Sequence, residues 1–277
     1  MKKRFLVFVF LLLVFSVYAH GEEAEITNVS SDGLVDYFAS TSIYYVLLGS
    51  AIVILITLIS IFYRRKSEKT KWVLFLLILI PVVLITFYIT GTTIYLNYTS
   101  QTRGPVHWHA DFEIWVCGER VDLADPEGFS NRIGSPVFHE HGDDRIHVEG
   151  VVVNKNHVNL RRFFYFVGGT LDDDLLELPV NDGILSVKNG DLCNGKTGEL
   201  QVFVYKVLNP SDAKEWGYEQ VKIEYFENYV LNPYSNVPPG DCIIVEFDAN
   251  KNKTDKICKT FEVALNQGYL TEVEHGS

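Results

Sequence analysis

Two stretches of the chain, residues 42–63 and 72–96, contain no charged side chain. Crossing a hydrocarbon layer of ~30 Å takes about 20 helical residues, and in lipid only a helix or a closed barrel satisfies every backbone polar group. Both stretches are therefore expected to be transmembrane helices. Pro81, inside the second, is expected to kink the helix without breaking it. Between them runs RRKSEKTK, residues 64–71, where Arg64, Arg65, Lys66, Lys69 and Lys71 face a single acid, Glu68. Short loops with such a basic excess stay cytoplasmic. The segments on either side, 20–41 and 97–277, are then predicted to be extracytoplasmic, in a two-pass cell-membrane protein.

The first residues match a secretory signal peptide over 1–19. Lys2, Lys3 and Arg4 form the basic start, an apolar stretch runs from Phe5 to Val17, and Val17 and Ala19 supply small residues for cleavage after Ala19. An uncleaved N-terminal anchor is the alternative, although the apolar run is shorter than a full span.

The segment after the second span is long enough for one domain or two small packed subdomains. It contains all four cysteines. On the extracytoplasmic side these predict two disulfides, with Cys242 and Cys258 pairing across a strand and polar turn and Cys117 left to Cys193. Free or metal-binding thiols are the other reading, against which stands the lack of any Cys-x-x-Cys. From Thr102 onward there are 16 lysines and arginines against 29 aspartates and glutamates, a balance of −13. That excludes nucleic acid as a partner and favours cations. Glycosylation sequons begin at Asn28, Asn97 and Asn252.

Five of the eight histidines fall between His107 and His147, as HWH (His107, His109), HEH (His139, His141) and His147. Residues two apart on a strand share a face, so each H-x-H presents two imidazoles from one surface. HEHGDDRIHVEG reads as a hairpin. A three-residue loop, Gly142-Asp143-Asp144, places His139 opposite His147 and His141 opposite Arg145, with three histidines on one face. A two-residue turn at Asp143-Asp144 instead pairs His139 with Val148 and turns His147 away.

Around these, VHWHADFEIWV and CGERVDL are expected to form two strands about a Cys117-Gly118 turn. Trp108, Ala110, Phe112 and Ile114 lie on one face and His107, His109, Asp111 and Glu113 on the other. Residues 125–136 are rich in turn formers and predict a loop. NLRRFFYFVGG predicts a short helix capped by Asn159 and stopped at Gly168-Gly169. Further strands are expected at HVEGVVVN, GILSV, ELQVFVYKVL and DCIIVEFD, with a turn at Asn189-Gly190. The predicted class is two transmembrane helices plus a β-rich (α+β), disulfide-stapled extracytoplasmic domain.

The series HWHADF, HEHGDDRIHVEG, NLRRFFYFVGG and PPGDCIIVEFD resembles a family of uncharacterised, largely archaeal, histidine-rich membrane-anchored extracytoplasmic domains. Their pattern is H-x-H-A-x-F, then H-x-H with a following H-V-E, then a short Phe-Phe helix. The resemblance covers most of the ectodomain and brings no established activity with it. It implies that the histidines act as a unit. After cleavage at Ala19 the chain would begin His20-Gly21-Glu22, which is similar to the mature start of the copper-binding B subunit of particulate methane and ammonia monooxygenases. That likeness implies copper at His20, His107 and His109. Here both spans separate His20 from the H-x-H, and no β-domain precedes the first helix. The H-x-H-x-x-x-E spacing of His107, His109 and Glu113 is also similar to the first cupin motif, but the late cupin histidine is missing.

These readings point to a membrane-anchored extracytoplasmic metal-binding protein with His107, His109, His139, His141 and His147 as ligands. Imidazole suits zinc, copper, nickel and iron, and the affinity order favours Cu(II), so Zn or Cu(II) is the expected cofactor. Asp111, Glu113 and Glu149 are candidate supporting acids. One alternative is a metalloenzyme of hydrolase or oxygenase type, with Glu113, Glu140 or Glu149 as general base. Another is a surface interaction or assembly module without metal, in which histidines pack or hydrogen-bond. His157 and His275 are expected to be structural. Expected partners are the metal ion, membrane lipid around the two helices, and another membrane or envelope protein.

Overall fold

The computed structural model describes residues 31–62, 67–126, 131–211 and 215–273. The signal-peptide residues, His20, Arg64, Arg65, Lys66 and His275 lie outside the described residues. Two helices, α1 (Ser31–Phe62) and α2 (Glu68–Thr99), include the apolar stretches. Tyr37–Phe62 and Glu68–Thr99 are 26 and 32 residues long with mean hydropathies of 2.6 and 2.8, long and apolar enough to cross a membrane. Both outrun their apolar stretches. At the start of α2 the Ser67 side chain accepts from Thr70 N, an N-cap that carries the helix into the polar loop. The helix is continuous through Pro81. The chain divides into two units, Met1–Ile78 and Leu79–Ser277.

The second unit holds the β domain. In chain order its elements are β1 (Pro105–Val116), β2 (Glu119–Val121), β3 (Ile133–Gly134), β4 (Phe138–Glu140), β5 (Arg145–Val151), α3 (Leu160–Phe166), β6 (Thr170–Leu171), β7 (Leu175–Val180), β8 (Gly183–Lys188), β9 (Leu192–Cys193), β10 (Lys196–Thr197), β11 (Glu199–Val207), β12 (Trp216–Ile223), β13 (Cys242–Asp248), α4 (Lys259–Asn266) and β14 (Leu270–Glu272). Nine strands form one mixed sheet in the order β14-β12-β11-β13-β1-β5-β4-β3, with β2 folded back on β1. The pairs β1/β13 and β12/β14 are parallel. A separate three-stranded sheet, β6-β7-β8, and a β9-β10 ribbon complete the domain.

Alternation along β1 sends Ala110, Phe112 and Ile114 into a core shared with Phe163 and Phe164 of α3 and Leu176 and Leu178 of β7. Asn159 caps α3 by accepting from Arg162 N, so the predicted helix forms with its predicted cap. The opposite face of the sheet is divided. Over β13, β11 and β12 it is closed by α4, whose Phe261 packs with Phe203, Tyr205 and Ile244. Over β1, β5 and β4 it carries the histidines.

Two disulfides, Cys117–Cys193 and Cys242–Cys258, match the predicted pairing. The first ties the β9-β10 ribbon to the two-residue turn between β1 and β2, where Cys117 and Gly118 take positive φ of 54° and 87°. The second ties the start of β13 to the start of α4. One detail of the predicted fold changes: the 125–136 loop contains β3, which pairs with β4 through Ile133 and Glu140. On the polar face of β1, Asp111 and Glu113 are both buried.

Candidate metal centre

In the histidine hairpin β4 pairs with β5 so that His139 stands opposite His147, the register expected for the three-residue loop, and residues 141–144 connect the two strands. On the other side of β5, β1 sets His109 opposite His147 and His107 opposite Glu149. His109, His147 and His139 thus form one row across three adjacent strands. With a side-chain period of two, His107 and Glu149 fall in the row on one side, and Asp111 and Arg145 in the row on the other. His141, just past the end of β4, completes the cluster. All five predicted ligands come together.

The five divide into two groups of three that share His147: His107, His109, His147 and His139, His141, His147. In each group one ligand atom from every residue lies within 4.8 Å of the others. The rings of His109 and His147 are 4.7 Å apart, those of His141 and His147 4.8 Å, and those of His139 and His147 are stacked at 5.4 Å. His107 is exposed, His139 is fully buried, and His147 is 9% exposed.

Three of these rings have their orientation set from outside the cluster. His109 Nδ1 lies 2.5 Å from the Ser235 carbonyl and His141 Nδ1 2.6 Å from the Asn131 carbonyl. A carbonyl only accepts, so Nδ1 carries the proton in both and Nε2 keeps its lone pair. His147 Nε2 faces the Asp143 carboxylate at 3.3 Å, which leaves Nδ1 as its basic nitrogen. Histidines that bind metals are held in this way, the far N–H donated to a carbonyl or carboxylate. His109 Nε2, His147 Nδ1 and both nitrogens of His139 are buried without a hydrogen-bond partner among the described residues. Leaving such a group unsatisfied costs about 1–3 kcal/mol, so four in one cluster fit a bound cation.

Burial favours the neutral form of three of the imidazoles, His109, His139 and His147. Desolvation lowers His147 to about 4, with Asp143 opposing the shift; it also lowers His109 against the pull of the Ser235 carbonyl, and His139 against Glu149. Neutral imidazole is the form that binds metal.

Among the described residues, the acids that meet the clustered histidines are Glu149 and Asp143. Glu149 Oε1 lies 3.0 Å from His107 Nε2, and its Oε2 lies 3.9 Å from His139 Nε2. Asp111 instead pairs with Arg145 at 2.7 Å and accepts from Thr260 of α4. Glu113 accepts from Trp115 Nε1, and burial pushes its carboxyl up. Glu140, one residue from His139 and so directed to the other side of the strand, caps the hairpin loop by accepting from Asp143 N and Asp144 N. Glu113 and Glu140 therefore have structural partners, and of the three acids expected as bases Glu149 is the one that faces the histidines. His157 sits in a short 3-10 turn, outside both groups, with Nε2 3.3 Å from the Asn154 amide nitrogen.

Sequence reasoning did not find Asp143, Ser235 or Asn131 as supports. Asp143 is adjacent to the cluster in sequence and carries a legible signal. Ser235 reaches His109 across 126 residues, and its contribution is a backbone carbonyl, for which no residue type is diagnostic.

Fold and site define a chain with two candidate membrane helices and a disulfide-linked mixed-sheet domain bearing histidine groups that could hold a metal ion. Comparison with family models, with curated proteins and with solved structures returns no match.

Proposed function

We propose that this protein is a membrane-anchored, extracytoplasmic metal-binding protein that takes up Zn(II) or Cu(II) on the face formed by β1, β5 and β4. The observation that carries this is the gathering of five imidazoles into two groups with ligand atoms within 4.8 Å, in which His109 Nε2 and His147 Nδ1 are buried without a partner among the described residues while their opposite ring nitrogens face Ser235 and Asp143. An interaction surface would turn its polar atoms to solvent, and His109, His147 and His139 do the reverse. Imidazole and carboxylate donors suit zinc and Cu(II). The only methionine is Met1, so no cluster of thioethers is present to favour Cu(I).

The extracytoplasmic side is supported by the basic loop 64–71 and by two disulfides, which persist in oxidising compartments. X-ray absorption on full-length protein purified without chelators tests the reading. The expected spectrum has imidazole nitrogens at about 2.0–2.1 Å from zinc. Protein that carries no metal above background, or metal without imidazole in its first shell, contradicts it.

A further inference from the structure

We propose that the centre binds a pair of metal ions, one at each H-x-H motif, with Glu149 as the carboxylate that bridges them. The proposal rests on the metal-binding reading above and adds a second ion and a sixth ligand.

Three observations carry it. The imidazoles do not converge on one point but fall into two groups that share only His147. His109 and His139 stand on the two strands flanking β5, roughly 10 Å apart at Cα given the usual strand spacing. Nitrogens on one zinc, with bonds of 2.0–2.1 Å, are only about 3.4 Å apart, and structural zinc takes four ligands. One ion uses part of this set and leaves buried nitrogens of the other group unsatisfied.

Glu149 is also placed between the groups. Its Oε1 is 3.0 Å from His107 of one group and its Oε2 is 3.9 Å from His139 of the other. The first distance is that of neighbouring ligand atoms on a single ion. Two cations side by side repel, and an anion with one oxygen turned to each offsets that repulsion. His147 cannot bridge in the same way, because its Nε2 faces Asp143 and only Nδ1 is available. Each ion then takes one H-x-H pair and one Glu149 oxygen, and His147 completes one of them. The exposed side of His107 and the partly exposed Glu149 carboxylate leave the pair reachable by solvent.

Cu(II) serves as the probe, and no free cysteine is present to reduce it. Full-length protein in detergent is stripped with chelator, loaded with Cu(II), and measured by elemental analysis and by integrated electron paramagnetic resonance. The expected result is two coppers per chain with a spin signal well below two, because carboxylate-bridged Cu(II) ions couple magnetically. Glu149→Gln keeps shape at a partly exposed position, and it should weaken the second equivalent by at least roughly tenfold or restore the full spin count. His107→Ala, at an exposed position, should reduce the stoichiometry to one. Saturation of the wild-type protein at one copper overturns the pair and leaves the metal-binding reading standing. Two coppers with full spin intensity that Glu149→Gln does not change also overturn it. Failure to bind any copper overturns both readings together.

Discussion

At the scale of single residues the centre depends on imidazoles that stay neutral where free histidine would titrate. His147 is lowered from 6.5 to about 4 by desolvation. Between those values the unfolded chain binds more protons than the folded one, so the stability of the metal-free protein rises with pH across that window. It is complete above pH 6.5 and lost as pH falls toward 4. For His147 alone the difference is on the order of 3 kcal/mol, and His139 and His109 shift in the same direction. Denaturant unfolding of the metal-free protein at a series of pH values checks this; a flat profile between pH 4 and 6.5 would show that burial does not hold these rings neutral. Asp143 supplies the second residue-level test. Removing its carboxylate in Asp143→Ala frees the His147 tautomer, and metal affinity should fall by roughly 10–100-fold with the fold intact. Affinity equal to wild type would mean that His147 is not oriented from Asp143.

At the scale of elements, the strand register does the assembling, and much of it was legible beforehand. The H-x-H spacing identified which histidines share a face, and the hairpin left two registers open. The structure has the longer loop, with Glu140 accepting from two loop amides and Gly142 and Asp144 at positive φ of 75° and 59°. Aspartate tolerates that conformation better than most residues. The partnership of β1 with β5, which joins HWH to HEH, has no comparable local signal, because antiparallel pairing depends on tertiary packing. The helix α4 was not foreseen: it begins at disulfide-bonded Cys258, with no Ser, Thr, Asp or Asn cap to announce it. Nor was β12, where only Tyr218 is buried and burial does not alternate along the strand. The loop before β13 is seated against β1 at Gly240, where a Cβ would meet the His109 carbonyl oxygen and, at 2.9 Å, that of Asn236. Gly240→Ala should lift this loop and withdraw the Ser235 carbonyl from His109. The expected outcome is a folded protein with roughly tenfold weaker metal binding, read by calorimetric titration beside circular dichroism; unchanged affinity would uncouple the loop from the site.

For the molecule as a whole, two disulfides tie the domain that carries the centre, and two helices long and apolar enough to cross a membrane precede it in the chain. Cys117–Cys193 spans 76 residues, and by chain entropy such a closure contributes about 4 kcal/mol. Chemical unfolding of Cys117→Ser/Cys193→Ser should show a loss of that order; no loss would mean that the ribbon is held by packing alone. The central claim is that the histidine face binds metal, and His147, shared by both groups, is the residue on which it turns most directly. The deciding measurement is calorimetric titration of Zn(II) and Cu(II) into full-length, chelator-stripped protein in detergent, beside His147→Ala. Submicromolar binding in the wild-type protein, weakened roughly hundredfold or more in the variant, is the predicted result. Binding that is weak in both, or equally tight in both, contradicts it.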